Sequence, residues 1–95
     1  MIIMHKLEKE LTVLNKKGLH ARPAALFVGL AEKYGVTVTV AKGSETVNGA
    51  SIMGLLMLGA VEGTVLKITV EGDRAQEAMA GFEDFFNKQD EELPS

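Results

Sequence analysis

The stretch Gly18-Leu19-His20-Ala21-Arg22-Pro23 sets one histidine and one arginine between a glycine and a proline. A helix beginning at Ala21 puts the His20 ring beside backbone N–H groups that lack an intrahelical acceptor. Those donors, with the positive end of the helix dipole, attract anions, phosphate above all. A neutral imidazole there offers a ring nitrogen as nucleophile. Arg22 adds a permanent cation whose guanidinium fork matches phosphoryl oxygens. Gly18 permits close approach of the loop, and of a partner, to the site. Six residues thus assemble a nucleophile, an anion cradle and a cationic clamp, which suits receiving a phosphoryl group on histidine and passing it on. The bland alternative is a histidine that caps a helix or faces solvent, and a motif this short matches by chance often enough to need support elsewhere.

The rest of the chain narrows the chemistry. It contains no Walker motif and no acidic pair suited to a nucleotide-bound metal, so a phosphorylated partner must supply the group. Two histidines far apart and no cysteine make a poor metal site, and no cofactor is called for. A net charge of −3 disfavours a nucleic-acid binder, which needs a basic surface. Glycine, glutamate or lysine interrupts every apolar run before it reaches membrane-spanning length. The N-terminal MIIMHKLEKE carries no signal-peptide hydrophobic region. Absence of cysteine fits the cytoplasm. Ninety-five residues, 46% of them hydrophobic, predict a single domain over 1–95 with a modest core.

The elements that must position His20 follow from periodicity. Residues 7–14, LEKELTVL, read as an edge strand with charges among apolar residues. Asn15 to Gly18 is a loop. Ala21 to Tyr34 is a helix, with Pro23 tolerated in its first turn and Gly35 closing it. Its Ala24, Ala25, Val28 and Ala31 are expected to face the core. Val36 to Val40 alternates as a half-buried strand, and residues 42–45, KGSE, turn into a short strand over Glu45–Val47. SIMGLLML, residues 51–58, is ambiguous by period alone; Ser51 as N-cap and Gly59 as stop favour a short helix. Residues 64–71 form a strand with Leu66, Ile68 and Val70 inward. Asp73 is expected to cap a last helix, with Gln76 at the capping-box position and a stripe of Ala75, Ala78, Met79, Phe82 and Phe86. The polar end, residues 88–95, reads as a frayed tail. The order is β-α-β-β-α-β-α: an α+β domain whose helices cover one face of a small sheet.

GLHARPA, followed by a helix and then by SIMGLLMLG, resembles the histidine-containing phosphocarrier (HPr) family of the phosphoenolpyruvate-dependent phosphotransferase system. The resemblance covers about residues 9–87, and two separated motifs in the right order are far more specific than either alone. It implies an open-faced β-sandwich, a four-stranded antiparallel sheet covered on one face by three helices. It implies that His20 is the phosphorylated residue, through Nδ1, and that Arg22 assists. It implies enzyme I as donor and an enzyme IIA component as acceptor, with a chain that relays a phosphoryl group and is not a stand-alone enzyme. It also aligns Ser51 with the serine that an HPr kinase/phosphorylase modifies in many members.

Ser51 caps a helix whatever else it does, a role worth about 1 kcal/mol. Regulated members often carry lysine just before that serine; this chain has Ala50. Behind Ser51, the run holds more apolar residues than a short helix can bury. Ile52, Met53 and Leu56 are the candidates for an exposed docking face, while core packing claims Leu55 and Leu58 or their neighbours. Gly29 and Leu30 stand where many carriers have charged residues. NKKGLHARPA and LLML also resemble the nitrogen-related branch of the family, and a Ser51-controlled regulatory binding module is the remaining alternative. His5 reads as a surface residue without function. Nothing in the sequence signals a stable oligomer, so a monomer is expected.

Overall fold

Strands form where β-branched and aliphatic residues alternate with polar ones, and four such segments pair into one antiparallel sheet. They are β1 (Lys6–Thr12), β2 (Thr37–Lys42), β3 (Glu45–Asn48) and β4 (Val65–Glu71), in the order β1-β4-β2-β3. The computed structural model describes residues 5–92, with side chains to residue 88. In the sheet, Val38 lies opposite Val70 and Val40 opposite Ile68, so period-two alternation delivers the inward residues as cross-strand neighbours. Val38, Val40, Leu66, Ile68 and Val70 are all buried. The threonines between them lie on the opposite, open face.

β1 is an edge strand, as its charges suggest. Its Leu7, Lys9 and Leu11 sit opposite Val70, Ile68 and Leu66, which places a lysine at an inward register position. The Lys9 ammonium meets Glu83 of the last helix at 2.8 Å. An inward charge of this kind discourages another strand from adding to the edge. The pair itself is exposed and contributes little to stability, on the order of 0.2–1 kcal/mol.

Three helices, α1 (Ala21–Tyr34), α2 (Ile52–Met57) and α3 (Ala75–Glu92), lie over the inward face. The described architecture is therefore the open-faced α+β sandwich expected. α1 buries Pro23, Ala24, Phe27, Val28 and Ala31. Ala25, expected inward, is exposed; the stripe is centred on Phe27, and Ala25 falls just off it. Phe27 stacks on Phe82 of α3 with ring centroids 4.4 Å apart and meets Phe86 edge-on at 6.2 Å. This aromatic contact holds α1 and α3 together above the sheet. Gly35 adopts the left-handed conformation at the end of α1, and its N–H reaches the carbonyls of Ala31 and Glu32.

Strand ends shift by one or two residues from expectation, with Lys42 in β2 and not in the turn, and both ends of α3 differ as well. Asp73 is not the cap of α3: Ala78 N–H bonds to the Arg74 carbonyl, so Arg74 holds the cap position and Asp73 belongs to the preceding turn. Arg74 instead pairs with Glu77 one turn on, at 2.9 Å. The polar end is also helical further than expected, since α3 continues to Glu92. Lys88 and Asp84 form an i,i+4 ion pair on this helix. Leu93 to Ser95 lie outside the described residues. Among the described residues, no helix is long and apolar enough to cross a membrane.

Replacing Phe27 by alanine removes the ring that both Phe82 and Phe86 touch. The expected cost is about 3–5 kcal/mol, against a total near 5–14 kcal/mol for a chain of this size. A urea unfolding curve checks this; a loss below about 1 kcal/mol would place the keystone of the core elsewhere.

Candidate functional site

His20 occupies the N-cap position of α1 in extended conformation, φ −86° and ψ −171°. Its carbonyl accepts the first helical bond, from Ala24 N–H at 3.0 Å. Its ring makes no capping bond. The amides of Ala21 and Arg22 are thus left as first-turn donors without an intrahelical acceptor, and Pro23 has none to offer. No acidic residue stands in that first turn, so no side chain of the helix itself neutralises the positive pole.

The loop before His20 is tightly held. Asn15 is buried, and its Oδ1 accepts from Lys17 N–H at 2.9 Å while its backbone carbonyl accepts from Gly18 N–H at 2.8 Å. Gly18 has φ +73°, and a Cβ there would collide with the Ala60 carbonyl oxygen. That same oxygen accepts from Leu19 N–H at 2.8 Å. Leu19 is buried, so the chain is pinned on both sides of its backbone bond immediately before His20. Sequence reading assigned Gly18 to permissive approach; the structure shows which atom it approaches.

His20 is half-buried. Its Nε2 is enclosed and holds no hydrogen bond, whereas Nδ1 is not enclosed in this way. The second enclosed and unbonded side-chain atom is Asn15 Nδ2, in the same loop. Arg22 is exposed in the first turn of α1, and among the described residues no ion pair engages it. Lys16 and Lys17, in the loop before His20, are exposed. A chain of net charge −3 therefore carries three exposed cations within four residues of one histidine in the sequence.

Ser51 sits at the N-cap of α2 as expected, its Oγ accepting from Gly54 N–H at 3.0 Å. Lys42 donates to the Leu58 carbonyl at the other end of α2 at 3.0 Å, a cation at the negative pole. Leu55 and Leu58 are buried. Ile52 and Met53 are exposed, the latter 67%. Leu56, expected to be exposed, is half-buried and packed against the core. The most exposed apolar residue is Met57, at 75%, which sequence reading passed over. Helical period could have found it: with Leu55 and Leu58 inward, Met53 and Met57 fall together on the outer face. Val61, three residues past Leu58, extends the exposed apolar strip, and its neighbour Ala60 is the residue bonded to Leu19. The strip therefore runs from α2 to the backbone that holds the histidine loop.

Comparison with known proteins agrees with this arrangement. The family described as the HPr component of the phosphotransferase system, with its phosphorylation site, matches residues 7–88. The phosphocarrier protein HPr of Pseudomonas aeruginosa is 43% identical over 84 residues, covering 87% of this chain and 93% of that protein. The HPr-like protein Crh of Halalkalibacterium halodurans is 40% identical over 82 residues, 86% and 98% of the two chains. A crystal structure of HPr from Thermoanaerobacter tengcongensis superposes with a TM-score of 0.83 at 42% identity, covering 87% of this chain and 93% of the other.

Gly18→Ala forces an alanine into a left-handed conformation and breaks the Leu19–Ala60 bond. A loss of about 2–3 kcal/mol is expected, roughly the sum of those two costs. Chemical denaturation measures it, and an amide spectrum should show the largest shifts at Leu19, His20 and Ala60.

Proposed function

The chain belongs to the HPr family of phosphocarriers of the phosphotransferase system, and from that premise we propose that His20 is its phosphoryl acceptor, loaded by phospho-enzyme I and unloaded onto a histidine of an enzyme IIA component. The observation that carries this reading is the state of His20: an N-cap residue whose ring caps nothing, beside free first-turn amides and an unpaired Arg22.

A neutral imidazole that attacks through Nδ1 keeps its proton on Nε2. The enclosed Nε2 and the unenclosed Nδ1 fit that division of labour. The Nδ1 lone pair enters in line as the bond from phosphorus to the donor breaks. The Arg22 guanidinium and the Ala21 and Arg22 amides offset charge on the three phosphoryl oxygens. Return of the group to an acceptor is the same path reversed. Positioning by the pinned loop supplies much of the remainder. Ile52, Met53 and Met57, with Leu56 behind them, form the docking face for both partners, and methionine suits a face that must fit more than one. Lys16 and Lys17 favour partners with acidic rims. In this scheme the chain works in the cytoplasm as a monomer, since one copy carries every group the transfer uses.

Ser51 supports a regulatory addition. Its hydroxyl stands at the N-terminus of α2 beside exposed Ile52 and Met53. A phosphate placed there by an HPr kinase is tolerated by the helix and puts charge into the docking face. Ala50, where regulated members often have lysine, bears on which kinase accepts the site.

With phosphoenolpyruvate, Mg²⁺ and enzyme I, an acid-labile mass gain of one phosphate is expected, and none in His20→Ala. Arg22→Ala should slow transfer by about 10²–10³-fold, the range for losing one such charge-stabilising group. A full gain in His20→Ala overturns the assignment. Running enzyme I of the sugar and nitrogen branches side by side assigns the branch by rate. Ser51→Asp keeps a capping side chain, so the fold should hold while KM for enzyme I rises about tenfold; an unchanged KM removes the regulatory reading.

A further inference from the structure

The two most exposed apolar side chains of α2 are both methionines, and they stand one helical turn apart. Met53 is 67% exposed and Met57 75%. Residues four apart on a helix are surface neighbours, so the two thioethers share one small patch. Met79, the other methionine whose burial is described, is 2% exposed within the core. The chain has no cysteine, so thiol oxidation is not open to it. Its accessible, oxidisable sulfur among the described residues is therefore concentrated at one place.

We propose that Met53 and Met57 form a paired oxidation site through which a peroxide switches off partner docking. This rests on the reading of α2 as the docking face. The chemistry balances without help from the protein. A thioether lone pair attacks one peroxide oxygen, the O–O bond breaks, a sulfur–oxygen bond forms, and the departing oxygen leaves as water after taking the proton of the transferred one. Sulfur loses two electrons and peroxide gains them. The product is a polar, strongly accepting sulfoxide in place of an adaptable apolar group. On the surface this costs the free protein little, because neither side chain supports the core. In a complex, the sulfoxide oxygen is desolvated against an apolar partner and loses its water. The change is thus felt in the complex and not in the fold. Reversal needs an external dithiol-dependent sulfoxide reductase, since this chain holds no thiol.

Treatment of the purified chain with hydrogen peroxide should add one oxygen mass to each of Met53 and Met57, read peptide by peptide so that Met1 and Met4 are scored separately, ahead of Met79. The oxidised protein should keep its circular dichroism spectrum and melting behaviour. Its KM for phosphorylation by enzyme I should rise about tenfold or more with kcat little changed. Sulfoxide reductases with dithiothreitol should restore the original KM. In the double variant M53L/M57L, treated and untreated samples should behave alike. Equal oxidation of Met79, an unchanged KM after oxidation, or continued peroxide sensitivity in M53L/M57L overturns the proposal. The variant M53E/M57E separates the two ideas: if it transfers at the normal rate, the docking reading itself fails, whereas if it is slow while the sulfoxide form is not, only the oxidation switch fails.

Discussion

One backbone hydrogen bond, from Leu19 N–H to the Ala60 carbonyl, joins the loop of His20 to the exit of α2. On one side is the loop that ends in His20; on the other is the exit of α2, with its exposed methionines. The bond forms only because Gly18 lets the loop lie against Ala60 with no side chain between them. Burial of Leu19 then excludes water from the contact, which makes it costly to break. If α2 is the docking face, as proposed, a partner that settles on it meets the histidine at a fixed offset. On that reading chemistry and recognition would share a single rigid reference, although about forty residues separate the two segments in the chain.

The helices extend that rigidity into the core. α1 places His20 through its first turn, and Phe27, two turns further on, fixes α1 against Phe82 and Phe86. The inward face of the sheet closes the core from below through Val38, Val40, Leu66, Ile68 and Val70. The core reaches the histidine loop itself through buried Leu19, Ala24 and Ala60, so the site is anchored from beneath while Arg22 stays exposed. Its local charge is decoupled from the whole: Lys16, Lys17 and Arg22 flank His20 in the sequence of a chain that is acidic overall. A surface that repels acidic partners weakly at long range and attracts them at one spot selects orientation as well as affinity.

Much of this was legible in the residue order. Strand alternation placed Leu66, Ile68 and Val70 inward, and the start of α1 at Ala21 followed from Pro23 and the apolar repeat. The cap at Ser51 and the close at Gly35 were read from residue type alone. The misplacements share a cause. Asp73 is a good cap by type, but the turn after β4, through Gly72, hands the helix start to Arg74. Ala25 is apolar yet too small to pull the helix face toward it, while Phe27 is large enough to set that face. Leu56 lies on the border between faces, and whether it is buried depends on a neighbour from elsewhere in the chain. What could not be read at all is any relation between distant segments: the Leu19–Ala60 bond, the register of Lys9 against Ile68, and the enclosure of one ring nitrogen of His20 but not the other.

That the first turn of α1 offers donors and one exposed arginine, and nothing more, bears on the energetics of a relay. An intermediate in a chain of transfers must not become a thermodynamic sink. Every 1.4 kcal/mol of extra stabilisation given to the loaded histidine slows the onward step about tenfold unless the transition state gains equally. A carboxylate locking the ring, or further cations closing over the oxygens, would deepen the well. On the role proposed for His20, the sparse first turn of α1, with Arg22 free to follow the oxygens or release them, would keep that well shallow and leave the loaded state ready to discharge.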